Sequence, residues 1–413
     1  MRAAICFIAL LTATAPVRAT DFSGRIKLDT IGYDAGSDTP EASLGYQHSN
    51  ELTGQLRLEL QQDYQPWKFE AAWQLDARHG SAVERDQAMA SSYPALASSD
   101  TNTSYWDLQD TVTDSNSNLS SQRLDRFNLS YSSNAFVARL GRQALTWGSG
   151  LVFHPMDLVN PFQPVATDTA YKRGTDMAYL QWLLDDGSDI QLVSVAHKQR
   201  NTNDPDGDKA SSAVFANLIG DTLQWSLLLA QDRADAVLGM ATSGPWGGAV
   251  WNLEVIPTYL DNRGTRTSAL FNISQAGSLL QRNITSFAEY YHNGFGISDN
   301  DYTLADLNPE LLLRLQRGQQ FVTGRDYVSA GATWEWTPLL QLVPTLVFNL
   351  QDHSSLLDLQ LNRSLGNNTS LKGGLRIGAG SRGSEFAGLE LAPGAGLYLS
   401  APTQLFIRME SYF

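Results

Sequence analysis

Between Leu52 and Gln61 the chain changes character at every step. Leu52, Gly54, Leu56, Leu58 and Leu60 share one side, and Arg57 and Glu59 lie on the other. A side-chain period of two is that of a β-strand. Gln65-Pro66 turns the chain. The next run places Trp67, Phe69, Ala71, Trp73 and Leu75 on one face and Lys68, Glu70, Gln74 and Asp76 on the other. The same template returns near the other end. Val328, Ala330, Ala332, Trp334 and Trp336 alternate with Ser329, Thr333 and Glu335. Leu357, Leu359 and Leu361 alternate with Asp358, Gln360 and Asn362, and Leu371, Gly373, Leu375 and Ile377 alternate with Lys372 and Arg376. Repeated matches of this kind predict strands with one apolar and one polar face along their whole length.

The connections between these runs are of two kinds. Short ones lie at 65–66, 132–134, 185–187, 220–221, 244–246 and 337–338. Long polar ones lie near 34–51, 79–121, 148–174, 198–210, 294–326 and 380–403. Counted from Phe22, the short ones follow even-numbered strands and most long ones follow odd-numbered strands. One-sided loop length is what a membrane barrel requires, with tight periplasmic turns, long external loops and both ends of the wall in the periplasm. A two-sheet sandwich would not produce it. The fold class is therefore read as all-β, a transmembrane antiparallel β-barrel of about 18 strands with about 16 as the alternative. Segment 40–48 is the ambiguity, being an extra strand or part of a loop. Trp67, Trp246 and Trp336 fall beside periplasmic turns, as girdle aromatics do, although ordinary core packing is an equal reading for any one of them.

Composition then narrows the class. Mean hydropathy is -0.24, and no run reaches the ~18 apolar residues of a membrane helix. Barrel strands hide in such averages because lumen residues dilute the lipid face. Arg2, the apolar run 3–15 and Val17-Arg18-Ala19 have the layout of a signal peptide over 1–19, leaving a barrel over 20–413. The single cysteine, Cys6, falls inside that apolar run, so disulfide, thiolate and lipoprotein chemistry are not expected of the mature chain. Net charge is -14 over the full chain. That sign disfavours nucleic acid as a partner, and acidic external loops facing a cation-bridged outer leaflet account for it.

The last strand reads Leu405, Ile407, Met409, Ser411 and Phe413 on one face and Gln404, Arg408 and Glu410 on the other. A terminal aromatic on such a strand resembles the C-terminal signature of Gram-negative outer-membrane proteins. The resemblance implies outer-membrane localisation, Phe413 as an assembly signal, and outer-membrane lipid and the barrel-assembly machinery as partners.

The most distinctive stretch is 139–174. A strand ends near Trp147, and Gly148-Ser149-Gly150 lets the backbone turn sharply. Val152, Phe153, Met156, Leu158, Val159 and Phe162 are too apolar for an external loop in water, and Pro155, Pro161 and Pro164 stiffen its path. Folding inward, to line or plug the lumen, satisfies both facts. Arg139 and Arg142 are expected to pair with Asp157 or Asp168 and so hold a constriction. Gln143, Trp147, Asn160, Phe162, Lys172 and Arg173 belong to the same candidate set. The run Gly141-Arg142-Gln143, Trp147-Gly148, Pro155, Asp157 and Asn160-Pro161-Phe162 resembles a segment of poorly characterised proteobacterial outer-membrane barrels, some associated with export systems for hydrophobic molecules. That resemblance covers about 139–174 and implies a porin-like barrel in a transport setting, with a periplasmic or inner-membrane export partner. It supplies no catalytic residues. A fold staple without solute contact is the other reading of the motif.

Other chemistry is thin. Asp204, Asp206 and Asp208 around Gly207 have alternate oxygen ligands, as a Ca²⁺ loop does, but lack its closing glutamate, which favours a solvated turn. The histidines form no close metal-ligand pair. Ser149 and His154 are too far from a nucleophile-elbow pattern to build a triad by spacing. No nucleotide-binding glycine fingerprint and no cofactor site is seen. Asn308-Pro309 is expected to start a short helix whose leucines pack into the barrel mouth, and 79–121 reads as a mobile surface loop. Arg25, Lys27, Asp29, Arg57, Glu59, Lys68, Glu70, Lys372, Arg376 and Arg408 are expected in the lumen, and their mixed signs argue against strong ion selectivity. The functional expectation is a non-enzymatic outer-membrane channel for small, amphipathic or hydrophobic solutes. The alternatives are a structural or partner-docking barrel of an export system and an outer-membrane hydrolase.

Overall fold

The computed structural model describes residues 20–94, 96, 104–199, 204, 206–261 and 263–413; the expected signal peptide at 1–19 lies outside them. Eighteen antiparallel strands close into a barrel. They are β1 Thr20–Asp34, β2 His48–Tyr64, β3 Trp67–His79, β4 Asn118–Ser132, β5 Phe136–Gln143 and β6 Thr175–Leu183. Next come β7 Asp189–Val195, β8 Ser211–Ile219, β9 Gln224–Asp232, β10 Asp235–Trp246, β11 Ala249–Leu260 and β12 Gly264–Leu279. The last are β13 Arg282–His292, β14 Asp326–Thr337, β15 Leu340–Asn349, β16 Ser355–Ser364, β17 Thr369–Ala379 and β18 Thr403–Tyr412. Each pairs with its neighbours in sequence, and β18 pairs with both β17 and β1, so the ring closes.

The wall is inside out relative to a water-soluble domain. Leu405 and Ile407 are 62% and 58% exposed, whereas Arg408 between Ile407 and Met409 is 4% exposed. Arg25, Arg57, Glu254 and Glu289 are buried in the interior with it. Exposed leucines cost nothing where the surroundings are hydrocarbon, and buried charges persist only when paired. Among the described residues no helix is long and apolar enough to cross a membrane; the strands do so.

Phe413 completes the ring. Its amide and carbonyl exchange hydrogen bonds with Gly24 at 3.0 and 2.9 Å. A Cβ on residue 24 would stand 2.5 Å from the Phe413 ring, which is why that position is glycine.

The parity of connections holds, with three external links tighter than expected, at 233–234, 261–263 and 350–354. The external loops carry helices. Segment 40–48 is not an extra strand: Pro40–Ser43 is a helix (α1), capped by the Thr39 hydroxyl on the amide of Ala42. The loop expected at 79–121 carries regular structure over its described part. Ser81–Ser92 is a helix (α2) that buries Ala82, Val83 and Met89, and Gln109–Ser115 pairs with the upper part of β4. Few apolar residues suffice there because they concentrate on one contact surface. Pro309–Gln316 is the expected helix (α3), with Asn308 accepting from the amide of Leu311 at 2.8 Å and Leu311 buried among Leu260, Phe295, Tyr302 and Leu307.

Candidate functional site

The external loop 144–174 leaves β5 and crosses the lumen before rejoining at β6. Gly148, at φ +91°, makes the turn, and a Cβ there would meet the Glu254 carboxylate at 2.9 Å. Glu254, on β11, accepts from the amide and the hydroxyl of Ser149, the latter at 2.9 Å. Glu289, on β13, accepts from the amides of Leu151, Val152 and Phe153 at 2.6, 3.0 and 2.9 Å. Asn272, on β12 between them, donates to the Ser149 carbonyl at 3.0 Å. Two carboxylates thus satisfy a run of loop amides that would otherwise be buried without partners.

The apolar part of the loop then has cover. Phe153 stacks on Tyr291 at 4.5 Å. Trp147 stacks on Phe215 at 5.1 Å and donates its indole N–H to Gln191 at 2.9 Å. Met156 and Val159 pack with Met177, Val193 and Val195 on the lumen side of β6 and β7. Phe162 is half-buried and faces Phe321 and Val322 of the 293–325 loop across a small gap.

Farther along, the loop meets the opposite wall, and the polarity of its contacts reverses. Arg376 donates to the Val165 carbonyl, and Arg408 to the Thr167 carbonyl at 2.7 Å. Asp168 receives both terminal nitrogens of Arg25 at 3.2 Å and Lys27 at 2.7 Å. The Tyr171 ring lies beneath Arg57 at 4.1 Å and Arg25 at 4.8 Å. So β11–β13 offers carboxylates to loop amides, while β1, β2, β17 and β18 offer cations to loop carbonyls, a carboxylate and an aromatic face. Within the loop, Lys172 bridges Asp157 and the Leu145 carbonyl, and Asn160, at φ +51°, donates to Thr175 at 2.6 Å.

Electrostatics follow from burial and these partners. Burial opposes ionisation of Asp168, but the charges and hydrogen bonds of Lys27 and Arg25 outweigh it and hold the carboxyl well below the usual range. Asp157 is fully enclosed, and burial pushes it up to about 6 against the pull of Lys172. Burial, with Lys172 nearby, lowers the His154 imidazole to about 4.

The expected pairing of Arg139 and Arg142 with Asp157 or Asp168 does not form. Arg139 approaches Gln143 at 3.4 Å and the Tyr179 ring at 5.8 Å, while Gln143 donates to the Met177 carbonyl. Arg142 clasps Asp176 at 2.8 and 2.9 Å and donates to the carbonyls of Leu124 and Trp106. The physical reason is a gap in the wall. β5 pairs with β4 only as far as Phe127, above which Gln109–Ser115 takes over the edge of β4, and Arg142 fills the seam between them. Gly141, at φ +123°, redirects the backbone there. Arg142 is thus a staple of the wall rather than of the constriction. Arg173 donates to Gln109 at 2.8 Å and ties the loop's end to the same seam.

Residues that sequence reasoning missed carry much of the site: Glu254, Asn272 and Glu289. The one available signal was an acid on a lumen face between bulky neighbours, as in Phe287–Glu289–Tyr291. The Ca²⁺ reading has competitors: Asp204 pairs with Arg317 at 2.7 Å and Asp206 with Lys209 at 2.7 Å, and no metal-holding group is found among the described residues. The Ser149 hydroxyl is engaged by Glu254, and His154 turns to the Gly150 backbone, so the two do not assemble a nucleophile and base.

No family model and no curated protein matches the sequence. Solved structures do match along nearly the whole length. OccAB1 of Acinetobacter baumannii aligns with a TM-score of 0.57 at 9% identity, covering 97% of this chain and 98% of that one. OccK5 (OpdH) of Pseudomonas aeruginosa aligns with a TM-score of 0.54 at 10% identity over 95% and 98%. OprD of Pseudomonas aeruginosa gives 0.52 at 10% over 96% and 97%. At such identity the likeness is one of fold. That fold, together with the apolar belt of the wall, describes a porin-like barrel of the Gram-negative outer membrane.

Proposed function

We propose that this barrel is a channel of the outer membrane, passing small or amphipathic solutes along a lumen narrowed by the 144–174 loop. One observation carries the reading: the loop is anchored on both sides of the lumen, by Glu254 and Glu289 on one wall and by Arg25, Lys27 and Arg408 on the other. A loop built only to seal the barrel would need cover, not charge matching on opposite walls. The barrel interior around the loop is two-sided, with buried ion pairs around β1–β4 and β16–β18 and a buried apolar cluster around β6–β11. Solute-uptake swelling and planar-bilayer conductance test the reading. Uptake by the wild type, increased by deletion of 151–162, is expected. No uptake and no conductance in either protein overturns it.

A docking barrel of an export system is the second reading, favoured by apolar tips on neighbouring periplasmic turns. Leu280 and Leu339 are 73% and 61% exposed there, and Leu280 holds a positive φ that leucine rarely adopts. Recovery of a periplasmic partner by cross-linking at position 280, lost in Leu280→Asn, supports it. Cross-links to lipid alone remove it.

A further inference from the structure

The outer face of β6–β9 is not a smooth wall. Two cross-strand rows run side by side. Leu180, Leu192 and Val214 stand opposite one another in the lower row, continued by Leu229, and Ala178, Ser194 and Ser212 form the row above. The small side chains of the upper row leave a groove of about 370 Å³ with an almost wholly apolar lining. The Ser212 hydroxyl donates to that of Ser194 at 3.4 Å.

We propose that this groove binds an acyl chain of the phosphorylated glycolipid of the outer leaflet. The proposal rests on the outer-membrane placement of the wall and not on the channel reading. The face meets lipid, since it lies outside the barrel among exposed leucines. The leaflet follows from the strand ends. Ser194 is the second-last residue of β7 and Ser212 the second residue of β8, both at the extracellular rim. The headgroup chemistry follows from what stands above. Lys198, just past the end of β7, is exposed and makes no hydrogen bond or ion pair among the described residues. Lys209, on the returning side of the same loop, is exposed but held by Asp206 at 2.7 Å. Among the described residues of this loop, Lys198 is the exposed cation without an acidic partner, placed to meet a phosphate above a chain lying in the groove.

Native mass spectrometry of the folded barrel in detergent, with lipid A as the probe and phosphatidylethanolamine as the competitor, tests this. The wild type is expected to carry a single lipid A that phosphatidylethanolamine does not displace. Filling the groove in Ala178→Leu/Ser194→Leu is expected to lower occupancy about ten-fold. Lys198→Ala is expected to lower it while leaving the groove intact. Leu361→Val, on the far side of the wall, serves as control, and heat-modifiable mobility reports folding. If the double variant fails to fold, Ser212→Met fills the same row alone. Equal occupancy in wild type and filled variants, or preference for phosphatidylethanolamine, overturns the proposal.

Discussion

Arg25 and Asp168 stand 143 positions apart and meet through both guanidinium nitrogens at 3.2 Å, with Lys27 closing on the same carboxylate. This contact holds the far end of the 144–174 loop to β1. Asp168→Asn should weaken it by about 2 kcal/mol, a typical cost for charge-assisted hydrogen bonds. That would raise the population of the displaced loop by about thirty-fold, seen as larger or noisier single-channel conductance. Asp168 is a depressed carboxylate, so its contribution is fully present above the usual carboxylate range and is lost only as pH falls through its lower folded value. Wild-type conductance should accordingly keep this restraint in mildly acidic solution. Unchanged conductance in Asp168→Asn would place the restriction elsewhere.

Glu289 is a harsher site. Replacing it by alanine leaves the amides of Leu151, Val152 and Phe153 without an acceptor, at roughly 1–3 kcal/mol each while they stay buried. The loop should leave the lumen rather than accept that cost. Glu289→Ala is expected to open the channel, exposing 151–162 to added protease. Glu289→Gln keeps one acceptor oxygen and should fall between. Protease resistance equal to wild type in both variants would sink the idea.

Two buried groups of the loop respond to pH with opposite sign. His154 is lowered to about 4, so between the ordinary imidazole value and 4 the unfolded chain takes up a proton that the native loop refuses. Its stabilising contribution is present above about pH 6.5 and falls by up to a few kcal/mol on acidification. Asp157, raised to about 6, takes up a proton in the native state first and adds stability as pH falls from about 6 to 4. His154→Phe should therefore unmask stabilisation on acidification and Asp157→Asn the reverse. Thermal unfolding midpoints of the three proteins across that window measure it, and parallel curves would refute it.

Arg142→Ala separates a wall staple from a pore residue. It strips Asp176 of its cationic partner and removes one donor each from the Leu124 and Trp106 carbonyls, at roughly 3–5 kcal/mol for a broken buried pair. Barrel stability, read by heat-modifiable mobility, should drop while the conductance of folded protein stays unchanged. A conductance change at wild-type stability would return Arg142 to the constriction.

Much of the architecture was legible because alternation and loop parity are local properties. Leu357 to Leu361 announces its lipid face without reference to any partner, and Asn308-Pro309 announces a helix start in the same way. The inward fold of 144–174 followed from Val152, Phe153 and Met156 being unable to stay in water. What was not legible depends on how the wall closes. Alternation says that Arg25 faces the lumen but not that Asp168 lies across from it. The partners of Arg142 were not legible because a change of strand partner above Phe127, which no residue type announces, sets its neighbours. Glu254 and Glu289 were overlooked because their ligands are backbone amides, and backbone amides leave no mark in a sequence.

The pairing of β18 with β1 has a kinetic meaning. Its ion pair, Arg408 with Asp29, joins residues 379 positions apart, whereas every other seam of the wall joins strands adjacent in the chain. Hairpins can form early, but this contact requires the two ends of the sheet to find each other. Until they do, two long strand edges and a row of lumen charges face the bilayer unshielded. Closing this seam is what makes the wall compatible with its solvent, because the two strands it joins have no other partner on those sides.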